Sequence, residues 1–135
     1  SRPGKAKGQL VGGNLAMLVH AIGTPSDVDT RGKIFFLEDV GEYLYGIDRM
    51  LHQLKRSGKL EKPAALIIGG FTDCRDTTIP FGKNVEEIIH DVVKEYSYPV
   101  TFGFPVSHEK ENVALKVGGT FSLEVNNKKT VLKEM

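Results

Sequence analysis

The sequence is poor in features that mark several specialised classes of protein. Its 135 residues contain one cysteine, Cys74, so no disulfide can form within the chain, and no Cys/His cluster has zinc-site spacing. No apolar run approaches the roughly 18 residues of a membrane span, and the first residues lack the apolar core of a signal peptide. We therefore expect a cytoplasmic protein that has no membrane partner and needs no metal or other cofactor.

The sequence also lacks an excess of charge of either sign. The chain carries 18 Lys and Arg against 17 Asp and Glu, which gives a formal net charge of +1. A balance of this kind supplies no electrostatic footprint for nucleic acid or an anionic surface, so nucleic acid is not an expected partner. The length suits one domain with a substantial core of its own.

The chain divides into a short basic start and one folded unit. Residues 1–8 contain Gly, Pro and basic residues without an apolar anchor, which indicates a linker or tag remnant, with the domain spanning residues 9–135. A turn at Gly12, Gly13 and Asn14 is then expected to open a helix over residues 15–22, where apolar residues recur at helical spacing.

Alternating strand and helix patterns predict an α/β fold. Apolar runs at residues 34–37, 64–68 and 99–104 are typical of buried strands, and residues 42–55 and 85–96 have the periodicity of amphipathic helices. This order favours a parallel sheet. The tail, residues 113–132, alternates as strands do and contains a turn at Asn126 and Asn127, which predicts a C-terminal antiparallel β hairpin.

Two residues stand where a site of such a sheet is expected. Glu38, followed by Asp39, comes at the carboxyl end of a buried strand, and His108 follows the third apolar strand, so the two could meet at one sheet edge. An acid and a histidine are two members of a nucleophilic triad. The alternative is that the acids mark the exit of a strand into water and that His108 is an exposed loop residue.

The sequence offers no convincing nucleophile. No serine lies in a Gly-x-Ser-x-Gly elbow, and Ser107, next to His108, would point away from it on an extended segment. Cys74 follows a strand, although a single cysteine is more often a small buried apolar residue. The glycine pairs lack the spacing of phosphate-binding loops.

Five segments, read together, resemble the C-terminal domain of LD-carboxypeptidases: VGGNL at 11–15, GTP at 23–25, FLEDVGE at 36–42, YGIDRML at 45–51 and GGFTDC at 69–74. The resemblance runs from about Gly8 to the end of the chain. It implies a swivelling β/β/α-type domain with a partly parallel sheet, which agrees with the parallel start and antiparallel tail.

The resemblance also implies a function and assigns residues to it. The family uses a Ser-His-Glu triad to cleave the bond between an L- and a D-amino acid in muropeptides, releasing terminal D-alanine during peptidoglycan recycling. The serine belongs to an N-terminal domain that would be a partner of this one, and the glutamate and histidine map onto Glu38 and His108. Ser107 stands where the family usually has glycine. Asn14 is a candidate substrate-binding residue.

These implications leave alternatives open. Some relatives inactivate microcin-type peptide-nucleotide antibiotics, so a microcin-type peptidase is one alternative function. The resemblance also implies a homodimer, and a non-catalytic dimerisation or binding module is the other alternative. The isolated chain is expected to be inactive, because it would lack the nucleophile and its oxyanion donors.

Overall fold

Strands and helices alternate through most of the chain in a computed structural model that describes residues 2–102, 118–127 and 129–135. The elements are β1 (Gly4–Asn14), α1 (Leu15–Ala21), β2 (Ile34–Val40), α2 (Leu44–Arg56), β3 (Ala65–Thr72), α3 (Val85–Val93), β4 (Val100–Phe102), β5 (Thr120–Val125) and β6 (Thr130–Glu134).

The strands form a six-stranded sheet in the order β4-β3-β2-β1-β5-β6. Strands β1 to β4 pair in parallel, whereas β5 pairs antiparallel with both β1 and β6. The predicted α/β fold with a partly parallel sheet and a C-terminal antiparallel hairpin is confirmed. The two outermost strands approach each other, since the Thr101 and Thr130 hydroxyl oxygens lie 2.7 Å apart, so the sheet curls on itself.

Two apolar clusters lie on opposite faces of the sheet. The larger one joins alternate residues of β2, such as Phe35 and Leu37, to the buried faces of α2 and α3. The smaller one contains Ile34 and Phe36 from the opposite face of β2 and the inward residues of β5, including Phe121. Because β2 alternates between two cores, its sequence is a continuous apolar run rather than a polar and apolar alternation.

A capping interaction defines the start of α3, and an apolar face attaches α2 to the core. Asn84 caps α3 through a capping box with Glu87, in which each side chain accepts from the other's backbone amide. Helix α2 buries Ile47, Leu51 and Leu54 at spacings of four and three residues. Within the described ranges, none of the helices is both long and apolar enough to span a bilayer.

The start of the chain corrects the prediction of a linker over residues 1–8. Strand β1 begins at Gly4, five positions before the expected start of order at Gln9, and continues through the expected turn at Gly12 and Gly13. In the first half of the strand the outward residues are exposed, and the inward residues are Gly or Ala because other segments lie close. A Cβ on Gly8 would stand 2.7 Å from the Gly32 carbonyl oxygen. Small inward residues give no apolar signal, so the sequence pattern did not indicate a strand over residues 4–8.

Arg2 explains why this segment is fixed to the domain. Its backbone exchanges hydrogen bonds of 2.7 and 3.0 Å with Val100, and its guanidinium donates to the carbonyl oxygens of Val93 and Tyr96 at the end of α3. The guanidinium also lies over the Tyr98 ring, 5.7 Å from its centroid. A cation at the carboxyl end of a helix satisfies carbonyl groups that have no partner within the helix.

Replacing Arg2 with alanine is expected to lower the free energy of unfolding by about 1 to 3 kcal/mol, since charge-assisted hydrogen bonds to α3 are lost. The matched control is Lys5→Ala, near the start of β1 and three positions further along the chain. Lys5 is 80% exposed and lies 3.8 Å from Glu124, so its loss is expected to change stability by less than about 0.5 kcal/mol. Urea unfolding of both variants measures the difference, and equal effects would contradict the anchoring role of Arg2.

Strands β2 and β3 extend further than the sequence indicates. Glu38 and Asp39 lie within β2 rather than after it, and β3 continues through Gly69 and Gly70 to Thr72. The polar and glycine residues are accommodated because strand pairing with neighbours on both sides of β2 continues past the apolar run.

Candidate active site

The carboxyl ends of β1, β2 and β3 meet at one edge of the parallel sheet. Asn14 is the last residue of β1, and it pairs with Glu38 of β2 across the ladder. Sites of open α/β sheets usually lie at this edge. The structure therefore brings together two of the three site residues that the sequence singled out.

Glu38 is almost completely enclosed, with 7% of its surface exposed. Alternation along β2 places it on the same face as Phe36, whereas Asp39 lies on the face that packs against the helices. A buried carboxylate is costly unless the surroundings compensate its charge, which makes this position more than the exit of a strand into water. The alternative reading of two solvated acids is therefore wrong for both residues.

The strand next to Glu38 is irregular at this point. The register between β2 and β3 shifts between Leu37 and Asp39, so that Gly69 and Gly70 together stand opposite Glu38. Bulges of this kind re-aim a side chain and are frequent beside active sites. Glycines at the irregularity also leave the space next to Glu38 without side chains from β3.

Asp39 forms the best-defined polar cluster at this edge. It is 2% exposed; its Oδ1 accepts from the Asn14 side-chain amide at 3.1 Å and from the Val40 amide at 2.8 Å, and its Oδ2 accepts from the Ala16 amide at 3.2 Å. Asn14 in turn caps α1, accepting from the Met17 amide at 3.0 Å. These bonds connect the end of β1, the start of α1 and the end of β2.

This cluster gives Asn14 and Asp39 structural roles that the sequence did not assign. An asparagine followed by an apolar helical pattern is a recognisable cap signal. No sequence signal, however, linked Asp39 to Ala16 of the first helix, 23 positions before it, because the contact depends on the pairing of β1 with β2. The predicted role of Asn14 in substrate binding stays a prediction.

His108 and Ser107 lie outside the described residues. The pairing of His108 with Glu38 therefore stays a prediction. The other histidines of the chain lie on exposed faces of α1, α2 and α3, namely His20, His52 and His90.

Two loops beside the edge are joined by backbone hydrogen bonds. The Leu44 amide donates to the Arg75 carbonyl at 2.8 Å, and the Arg75 amide donates to the Glu42 carbonyl at 2.9 Å. Asp73, between β3 and this contact, has a φ of 52°, the left-handed region that aspartate tolerates better than most residues. The contact ties the segment after β2 to the segment after β3, and sequence reasoning missed it.

Cys74 sits in this second loop, partly buried against the helix-side core. Burial, followed by the nearby carboxylates of Asp39, Glu42 and Asp73, raises the pKa of the Cys74 thiol. A raised pKa reduces the thiolate fraction, and the thiolate is the nucleophile. The surroundings of Cys74 therefore disfavour it as a nucleophile, which agrees with its interpretation as a small apolar residue.

Among the residues that the structure describes, no group of three or more His, Cys, Asp or Glu side chains is arranged to hold a metal ion.

Comparison with known proteins now places this geometry in a family. The family described as LD-carboxypeptidase C-terminal domain matches residues 7–123, which is most of the chain. The chain belongs to the LD-carboxypeptidase family. The predicted family membership is thus confirmed, and the match runs from Lys7 in β1 to Leu123 in β5.

Individual members of the LD-carboxypeptidase family show the same relation. The protein named "Probable murein peptide carboxypeptidase" of Bacillus subtilis is 37% identical over 131 residues, covering 97% of this chain and 41% of that protein. The crystal structure of muramoyltetrapeptide carboxypeptidase from Oxalobacter formigenes has a TM-score of 0.88 at 36% identity, covering 99% of this chain and 47% of that one.

A relative with a different named role has a similar fold. The structure of the microcin C7 self-immunity protein MccF in complex with glutamyl sulfamoyl guanosine has a TM-score of 0.84 at 25% identity, covering 98% of this chain and 39% of that one. The chain thus spans less than half the length of each of these three proteins.

Proposed function

We propose that this chain is the C-terminal domain of a serine-type LD-carboxypeptidase that releases terminal D-alanine from muropeptide tetrapeptides in peptidoglycan recycling. The observation that carries the proposal is the buried carboxylate of Glu38, which lies at the carboxyl edge of the sheet beside the Asn14–Asp39 cluster. The names of the family and of its relatives support the substrate class.

In this proposal Glu38 and His108 complete a triad with a serine from an N-terminal domain. His108 takes the proton from the serine as the serine attacks the carbonyl carbon of the L,D-peptide bond, and then gives it to the leaving amino group of D-alanine. Glu38 orients the imidazole and stabilises its cationic form. Asn14, beside Glu38, contributes to the wall of the substrate pocket.

The N-terminal domain is a proposed partner for a physical reason. Several large apolar side chains are exposed at or near the candidate site: Met17 next to the Asn14 cap, Val40 at the end of β2, and Tyr43 and Tyr45 after it. Covering such groups with another domain removes apolar surface from water. The full-length protein is also proposed to form a homodimer, as its family resemblance implies.

A microcin-type activity is the second candidate. Its specific support is the similarity to MccF, whose structure was determined with an aminoacyl sulfamoyl nucleoside. Such a conjugate and a tetrapeptide would require different pockets, and these depend on parts of the protein beyond this chain. A non-catalytic dimerisation or binding module is the third candidate, and it would leave the burial of Glu38 without a use.

Release of D-alanine from an L,D-linked muropeptide tetrapeptide tests the proposal. We expect the full-length protein to release D-alanine and the isolated 135-residue chain to release none, since loss of a triad nucleophile alone costs about 10⁶-fold in turnover. Glutamyl sulfamoyl guanosine is assayed in parallel. Cleavage of this conjugate without D-alanine release would favour the microcin-type function, and no cleavage of either would favour the binding module.

A further inference from the structure

We propose that Asp39 is a positioning residue, which holds Glu38 and Asn14 in the arrangement that the proposed reaction requires. This inference rests on the proposed function. The evidence is the set of hydrogen bonds around the Asp39 carboxylate, which takes no part in the proposed triad. Asp39 faces the helices, whereas Glu38 lies on the opposite face of the same strand, so Asp39 acts through its neighbours rather than on the substrate.

The surroundings of Asp39 require two acceptor oxygens. Its carboxylate accepts from three donors, namely the side-chain amide of Asn14 and the backbone amides of Ala16 and Val40. The carboxamide of asparagine has one acceptor oxygen, so its NH₂ group would face at least one of these N–H groups. The position therefore distinguishes a carboxylate from an amide of the same shape.

The irregular pairing of β2 explains why this anchor matters for Glu38. On the β3 side the ladder is interrupted opposite Glu38, where Gly69 and Gly70 provide no side chains. On the β1 side Glu38 is directly paired with Asn14, and Asp39 binds the Asn14 side chain. At Glu38 itself the regular pairing is therefore with β1, while pairing with β3 resumes at Asp39. The Asp39 side chain adds a restraint that joins this end of β2 to β1 and α1.

Asp39 also fixes the direction in which Asn14 presents its amide. Because the Asn14 oxygen accepts from Met17 and its nitrogen donates to Asp39, both ends of the amide group are committed. One N–H of the amide nitrogen remains for another partner. Loss of the Asp39 acceptor would allow this group to rotate and so change what a pocket residue at this position offers.

A double-mutant cycle in the full-length protein tests the inference. Asp39→Asn is expected to lower kcat for D-alanine release by about 10- to 100-fold with KM changed less than about threefold, as for a small misplacement of reacting groups. In the Asn14→Ala background, the same Asp39→Asn change is expected to lower kcat by a clearly smaller factor, because the hydrogen bond between the two side chains is already absent.

The control and a second readout separate positioning from general damage. Asp29→Asn alters an exposed carboxylate that bonds Arg31 within its own loop, and we expect its kcat to remain at the wild-type value. Hydrogen exchange of the Ala16 amide is expected to become at least about 10-fold faster in Asp39→Asn, since the first-turn amides of a helix depend on partners outside it.

The outcomes distinguish this inference from the proposed function. Wild-type kcat in Asp39→Asn, equal losses in the two Asn14 backgrounds, or unchanged exchange at Ala16 in an active enzyme would overturn the role of Asp39 alone. A wild-type protein that releases no D-alanine would instead overturn the proposed function, and with it the catalytic consequence of the Asp39 anchor.

Discussion

Replacing Glu38 with glutamine in the full-length protein is expected to lower kcat for D-alanine release by about 10⁴-fold, the size of the effect when a triad carboxylate becomes an amide. Glutamine keeps the size of the side chain but loses the charge that stabilises an imidazolium and selects its tautomer. Because glutamine keeps the size of the buried side chain, the variant is expected to leave no cavity and to remain folded. Steady-state kinetics together with thermal unfolding measure both effects.

His108→Ala is the companion variant, and its loss of activity is expected to be at least as large, because the general base itself is removed. The control is Cys74→Ala, which removes the thiol in the loop after β3. Since the raised pKa of Cys74 disfavours a thiolate, this variant is expected to keep kcat within about threefold of wild type. Full activity in Glu38→Gln would refute the triad, and loss of activity in Cys74→Ala with an unchanged unfolding temperature would point to a cysteine nucleophile.

Replacing Gly12 with alanine is expected to have the largest effect on stability, lowering the free energy of unfolding by more than about 4 kcal/mol or preventing folding. A Cβ on Gly12 would lie 2.0 Å from the Phe36 carbonyl oxygen, and Gly12 has a φ of +133°. The obstacle is backbone of β2, so it cannot be relieved by a change of rotamer. Separating β1 from β2 would break the pairing that places Asn14 next to Glu38.

Gly13 offers a matched control for this clash. It has a similar φ of +148°, but a Cβ at this position would meet nothing within 4 Å. Gly13→Ala is therefore expected to cost about 1 to 3 kcal/mol from backbone strain alone. Urea unfolding and soluble yield of the two variants isolate the contribution of the close approach of β1 to β2. Equal stabilities would show that Gly12 is required for its backbone angle and not for space.

The regular elements with a strong apolar pattern could be predicted from the sequence. Helix α2 follows from the spacing of Ile47, Leu51 and Leu54, and the hairpin of β5 and β6 follows from alternation and its asparagine turn. The position of Glu38 at the carboxyl end of a buried strand could also be predicted. These features depend on local periodicity, which the sequence displays directly.

The features that the sequence did not predict depend on contacts between distant segments. Strand β1 has small inward residues because Gly32 and Pro99 approach it, and that proximity exists only after folding. Arg2, interpreted as part of a linker, caps a helix more than 90 positions away. A basic residue near Gly and Pro carries no local sign of a partner so remote.

The candidate site divides along the same line. The sequence by itself determined the family, the α/β class and the identity of Glu38 and His108 as candidates, because motifs and periodicity are properties of neighbouring residues. Tertiary structure alone decided that Asn14 pairs with Glu38, that glycines of β3 stand opposite it, and that Asp39 binds the start of α1. Those relations are set by the register of parallel strands, which are joined through helices and not by short turns, so no local pattern fixes them.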